Sequence, residues 1–159
     1  MCDVRPSGLK TRVFAPYLLA AAVVGLDLLS KRWAATQFAD GPRQLISGIL
    51  TLQFVENPGA AFGLLENAGP FLGVAAVVAV GYVSAALARP RPGHEVAALG
   101  LIMAGAVGNL IDRIARGTGF LDGKVIDWID LKPIPTFNMA DSAITVAVAI
   151  LILGSWKRG

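Results

Sequence analysis

The nineteen residues from Pro70 to Ala88 carry no formal charge. A helix of that length, rising about 1.5 Å per residue, is long enough to cross a hydrocarbon core of about 30 Å. Three further apolar blocks of similar reach occupy residues 13–31, 96–114 and 138–154. Inside lipid every backbone N–H and C=O must find its partner within the protein, which restricts such segments to helices. Composition agrees: 16% of residues are charged and the mean hydropathy is +0.62, against about 25% charged in soluble domains. The expectation is a single all-α membrane domain, residues 1–159, with four transmembrane helices. The first block has the small residues of a cleaved secretory signal, but an ordered polar pattern and three more spans follow it. It therefore reads as a retained helix.

The basic residues sit at the ends of apolar blocks and form no stripe interleaved with aromatics, so a pI near 9.4 points to membrane topology and not to nucleic acid. Lys and Arg are tied at seven on each side of the bilayer. The group comprising Arg5, Lys10, Arg12, Arg89, Arg91, Lys157 and Arg158 lies in short tails and one tight loop flush against span ends. There the positive-inside rule is read, so both termini are expected to be cytoplasmic. The carboxylate-rich loops then face outward.

Between the first two spans the pattern changes. Residues 45–56 are rich in β-branched and aromatic side chains and bounded by Gly and Pro, which predicts one or two strands in a β-rich, outward-facing platform at about 44–62. Asn57-Pro58-Gly59 is a turn signal, followed by Ala60, Ala61 and Phe62. It reads either as a plain hairpin turn or as the margin of a strand edge that holds an extended peptide.

Five of the eleven carboxylates, Asp112, Asp122, Asp127, Asp130 and Asp141, fall between Gly105 and Asp141. Ionisable groups placed where lipid begins are costly and mark a functional site by default. Asp27 and Lys31, four apart on the first helix, form either a boundary ion pair with Lys31 snorkelling to the interface or part of that site. Asn109, Asp112 and Arg113 share one face of the third helix, beside the small pair Ala104 and Gly108. They read as a polar helix end or, for Asn109 and Arg113, as holders of a substrate's backbone carbonyls. Residues 125–130 read either as an interfacial loop with two solvated acids or as an extended segment; if extended, Asp127 shares a face with Val125, Ile129 and Leu131, apolar neighbours that raise its pKa. Asn138 is an N-cap for the fourth helix and Asp141, three residues on, completes a capping box. A helix N-terminus also favours a carboxylate, so one acid kept protonated and another kept ionised make an acid/base pair.

Elimination narrows the chemistry. Cys2 is the single cysteine, so no internal disulfide and no Cys-based zinc cluster is expected. The one histidine, His94, lies in the connection assigned to the cytoplasmic side, which argues against Ser-His, Cys-His and HExxH sites. A proton-coupled transporter expects acids near mid-span and related halves, whereas these acids gather at one membrane face. A non-catalytic scaffold for lipidated peptides is the other competing class.

Taken in order, Asp27…Lys31, Asn57-Pro-Gly-Ala-Ala-Phe62, Gly108-Asn109-Leu-Ile-Asp112-Arg113, Val125-Ile-Asp127-Trp128 and Phe137-Asn138-Met-Ala-Asp141 resemble the motif blocks of the bacterial lipoprotein signal peptidases, or signal peptidase II. The resemblance implies an aspartic peptidase that removes signal peptides from prolipoproteins, cutting before a diacylglyceryl-modified cysteine at the outer face of the cytoplasmic (inner) membrane. It carries the catalytic pair to Asp127 and Asp141. It places Asp27, Lys31, Asn57, Gly59, Asn109, Arg113, Asn138 and Ala140 around a substrate pocket. Membrane lipid and globomycin-type inhibitors are the other implied partners, with no metal and no cofactor. Two departures stand out: Trp128 occupies a position where Phe is usual, and the connection from Asp127 to Asp141 is short.

Overall fold

A computed structural model describes residues 8–59 and 68–156, with side chains from Phe14 onward. Cys2, Arg5, Lys10, Arg12, Ala60, Ala61, Phe62, Lys157 and Arg158 fall outside the described side chains. Among the described residues four helices form: α1 (Gly8–Gln37), α2 (Gly69–Leu87), α3 (Gly93–Ala115) and α4 (Met139–Trp156). Each is long and apolar enough to cross a membrane. Three strands accompany them: β1 (Arg43–Ile46), β2 (Leu50–Asn57) and β3 (Val125–Leu131).

α3 is the hub and packs against the other three helices. Its span is 44% buried inside the protein, against 17–22% for the others, whose outward faces are therefore left for lipid. Small residues allow this. Ala104 is fully buried, and the expected close approach at Gly108 is to Asp27 of α1 and Ala140 of α4. Gly100 meets the backbone of Pro16, and Gly105 meets α4. A Cβ on Gly105 would stand 2.5 Å from the Ala140 carbonyl oxygen, an atom fixed in a helix. Gly→Ala within a helix normally stabilises by about 0.5–1 kcal/mol. Gly105→Ala is expected to reverse that sign and destabilise by about 1–3 kcal/mol through overpacking. Gly81→Ala, with nothing within 4 Å of the new methyl, serves as the control. Thermal unfolding in detergent checks the pair, and equal midpoints would remove the case for close α3–α4 contact.

The helices overrun the expected boundaries most in α1, which continues six residues beyond the expected end at Lys31. The polar residues that end the hydropathy signal do not end the helix, because Lys31 finds its partners inside the protein. Lys31 is 1% exposed and Asp27 0%, so the snorkelling alternative is corrected: the ammonium points inward.

The sheet is antiparallel throughout, in the order β1-β2-β3. Its first two strands come from the α1–α2 connection, as expected. The third comes from the connection between α3 and α4, setting Val55 opposite Asp127 and Asn57 opposite Val125. Both edges of β2 are thereby occupied, so an extended peptide cannot add to it. The open edge on the other side belongs to the short β1. Beyond β3 the chain turns back, and Phe137 exchanges backbone hydrogen bonds with Ile129 at 2.9 and 3.0 Å. That return delivers Asn138 and the start of α4 beside Asp127.

Candidate active site

A cavity of about 720 Å³ lies between α2 and α4, over α3 and against the sheet. Its polar wall is made by Asn57, Gly59, Asn109, Arg113, Asp127 and Asp141. Its apolar wall includes Leu72, Ala75, Ala76 and Ala79, one face of the charge-free α2. This small-residue face was legible in the spacing 72, 75, 76, 79 but carries no polar atom to draw attention to it.

Asp127 and Asp141 line this one cavity from different elements. Asp127 stands on β3, 3% exposed. Its Oδ2 accepts from Asn57 Nδ2 at 2.9 Å and its Oδ1 from Asn138 Nδ2 at 2.7 Å. Asp141 stands in the first turn of α4 and is half-buried. Its Oδ1 accepts from Asn109 Nδ2 at 2.9 Å, and its Oδ2 from the Asn138 N–H at 3.2 Å. The Asp141 N–H returns a bond to Asn138 Oδ1 at 3.0 Å. The expected capping box is therefore present, and it belongs to the same residues as the acid cluster.

The amide orientations follow from donor-only neighbours. Asn57 Oδ1 accepts from the Gly59 N–H at 3.0 Å, Asn109 Oδ1 from Lys31 Nζ at 3.1 Å, and Asn138 Oδ1 from the Asp141 N–H. With each carbonyl held this way, each NH2 is turned to an aspartate. Asn57, Asn109 and Asn138 are thus seen supporting the acids. Burial pushes the Asp127 carboxyl up to about 6. The Asn57 bond opposes that rise, the charge of Asp141 adds to it, and the Asn138 bond opposes it again.

Arg113 is 5% exposed, and its guanidinium donates to Gly59 O at 3.1 Å and Gly123 O at 3.4 Å. It holds two of the protein's own carbonyls, in the turn after β2 and the loop before β3. Asp112 pairs with Lys31 at 2.8 Å and Arg116 at 2.9 Å, and accepts from the Ile126 N–H at 3.4 Å. Asp112 thus takes its cations from α1 and from the end of α3. Asp27, Lys31, Asn138 and Ala140 stand behind the cavity wall, whereas Asn57, Gly59, Asn109 and Arg113 line it. Trp128 turns away from the cavity side of β3 and meets Trp33 of α1 edge to face, 5.4 Å between centroids. What the sequence reading missed is the contact of Lys31 with Asp112, since neither residue's spacing relates it to the other.

Residues 19–157 match the family model described as signal peptidase (SPase) II. The chain belongs to the signal peptidase II family. Membership makes it a multi-pass membrane peptidase of lipoprotein processing. Among its relatives, the lipoprotein signal peptidase of Symbiobacterium thermophilum is 41% identical over 86% of this chain and 90% of that protein. The lipoprotein signal peptidase of Shouchella clausii is 36% identical over 90% and 93%. Two solved structures, each described as a bacterial membrane enzyme obtained by the in meso method, share the fold of this signal peptidase II family member. One superposes with a TM-score of 0.77 at 29% identity, covering 90% of this chain and 88% of its own. The other gives 0.76 at 29%, covering 91% and 94%.

Proposed function

We propose that this chain is an aspartic endopeptidase that removes signal peptides from prolipoproteins, cutting on the N-terminal side of a diacylglyceryl-modified cysteine, with Asp127 and Asp141 as the catalytic pair. The observation that carries this reading is that two carboxylates face one cavity from unlike surroundings. Asp141 sits at a helix N-terminus, where negative charge is favoured. Asp127 is buried and its carboxyl is pushed up to about 6. In the proposed step, a water between them attacks the scissile carbonyl, giving its proton to Asp141. Asp127 protonates the carbonyl oxygen; as the C–N bond then breaks, Asp141 passes its proton to the leaving amine and a hydroxyl of the tetrahedral intermediate returns a proton to Asp127. The four hydrogen bonds to the acids hold that geometry without moving during reaction.

The small-residue face of α2 opposite Ile144 and Val146 of α4 gives an apolar trough for the signal peptide beside the acids. The diacyl chains of the substrate stay in membrane lipid. Globomycin-type inhibitors would compete for the same cavity. His94 at the start of α3 lies against Gly154 near the end of α4, away from the sheet. That end carries Arg89 and Arg91, which supports cytoplasmic termini, a bacterial inner-membrane location and a site at the outer face.

Purified protein incubated with a diacylglyceryl-modified precursor is expected to release a faster-migrating product, whereas a precursor with a free cysteine is expected to remain intact. Binding of the modified precursor without cleavage would show a scaffold instead of an enzyme.

A further inference from the structure

Behind the cavity, Lys31 Nζ meets three acceptors: Asp27 Oδ2 at 2.7 Å, Asp112 Oδ2 at 2.8 Å and Asn109 Oδ1 at 3.1 Å. An ammonium has three hydrogens and no lone pair, so it can only donate; its contact with Asp27 Oδ2 is an ion pair without hydrogen-bond geometry, whereas that with Asn109 Oδ1 is a hydrogen bond. Asp27 uses its other oxygen, Oδ1, to accept the Ala140 N–H at 2.9 Å, one of the free donors of the first turn of α4. Arg116 Nε balances Asp112 at 2.9 Å. Two acids and two bases thus form a neutral group that touches α1, α3 and α4.

Building on the aspartic peptidase reading, we infer that Asp27 and Lys31 are positioning residues for Asp141, acting from outside the cavity through Ala140 and Asn109. Lys31 can only donate, so Asn109 must present its oxygen to it and turn its NH2 to Asp141 Oδ1, 2.9 Å away. Asn138 Nδ2 gives that oxygen a second donor at 3.1 Å, but the same amide also reaches Ile126 O and Asp127 Oδ1. Lys31 is thus the charged donor on the Asn109 oxygen. Asp27 fixes the main chain one residue before Asp141. One turn of α1 therefore sets both the backbone and the side-chain environment of a residue on another helix. A well-packed apolar pair would join the helices as firmly as a buried ion pair. It could neither hold an amide in one orientation nor accept a helix N–H.

The test is a cycle of substitutions read on the diacylglyceryl-modified precursor. Asp27→Asn with Lys31→Met keeps the group neutral, leaves Asp112 with Arg116, and leaves an amide oxygen to accept the Ala140 N–H. It is expected to lower kcat about ten- to a hundredfold, the scale of one hydrogen bond to a charged group, with KM changed less than about twofold, the outcome for a contact that does not touch substrate. In an Asn109→Ala background the same two changes are expected to cost less than about twofold, because the route to Asp141 is already cut. Equal losses in both backgrounds overturn the inference. Asp27→Asn with Lys31→Gln restores a donor for Asn109 and is expected to recover activity to within about threefold of the parent. Recovery no better than with Met also overturns it. Full turnover in Asp141→Asn would instead defeat the peptidase reading of the pair, and the positioning role with it. Additive losses with an essential Asp141 defeat only the positioning role.

Discussion

Asp127→Asn and Asp141→Asn are each expected to reduce cleavage of a diacylglyceryl-modified precursor by about 10²–10⁴-fold, the range for loss of a positioned acid or base. The double variant is expected to be little worse than either single one, because groups that act as a unit are not additive. The shape of the side chain is preserved, but its hydrogen bonding is not. Both oxygens of Asp127 accept from amide groups whose orientation is fixed by Gly59 and Asp141. An NH2 in place of one oxygen sets two donors face to face, so Asp127→Asn is expected to cost about 1–3 kcal/mol of stability as well. Asp141, half-buried, is expected to lose less. Membrane extraction of each variant separates a folded, inactive enzyme from an absent one. Near-parental turnover in either folded variant takes that residue out of the pair.

Asn138→Ala is the second substitution with a large expected effect, since one fully buried side chain serves both acids. It donates to Asp127 at 2.7 Å and caps the helix that carries Asp141. Loss of a hydrogen bond to a charged group costs about 1.5–3 kcal/mol, or about ten- to a hundredfold in rate if felt in the transition state. Loss of an N-cap takes about 1 kcal/mol more from stability.

The pH profile gives a readout independent of stability. In the parent, Asp127 holds its proton below about 6 and loses it above. The proton that the proposed step takes from Asp127 is then missing, so kcat/KM is expected to fall as pH rises past about 6. The Asn138 bond favours the carboxylate and holds this carboxyl lower than burial alone would. Its removal moves the alkaline limb to higher pH. A limb that stays in place, or moves down, contradicts the assignment of that limb to Asp127.

How far the sequence revealed this arrangement depends on the range of each interaction. The spans were legible because apolar length is a local property, and α2 lies within one residue of its expected bounds. The capping box was legible for the same reason: Asn138 and Asp141 are three apart. The end of α1 was not, because the partners that keep Lys31 buried, Asn109 and Asp112, lie on α3. The third strand was open between an extended segment and a loop, because its pairing with β2 depends on bringing together residues such as Asn57 and Asp127, 70 apart. The roles of Asn57 and Asn109 followed the same limit. An asparagine beside a turn or on a helix face gives no sign of which acid it will meet.

The platform takes two strands from before α2 and one from after α3. During synthesis the β1–β2 hairpin is made early and waits, without either aspartate of the proposed pair, through the emergence of two further helices. Asp127 then arrives on β3, and its partner only when α4 begins. The proposed centre accordingly comes together only once α4 has begun to form. On the proposed reading, a chain stopped before α4 carries only one carboxylate of the pair and is expected to leave precursors in the same bilayer uncut.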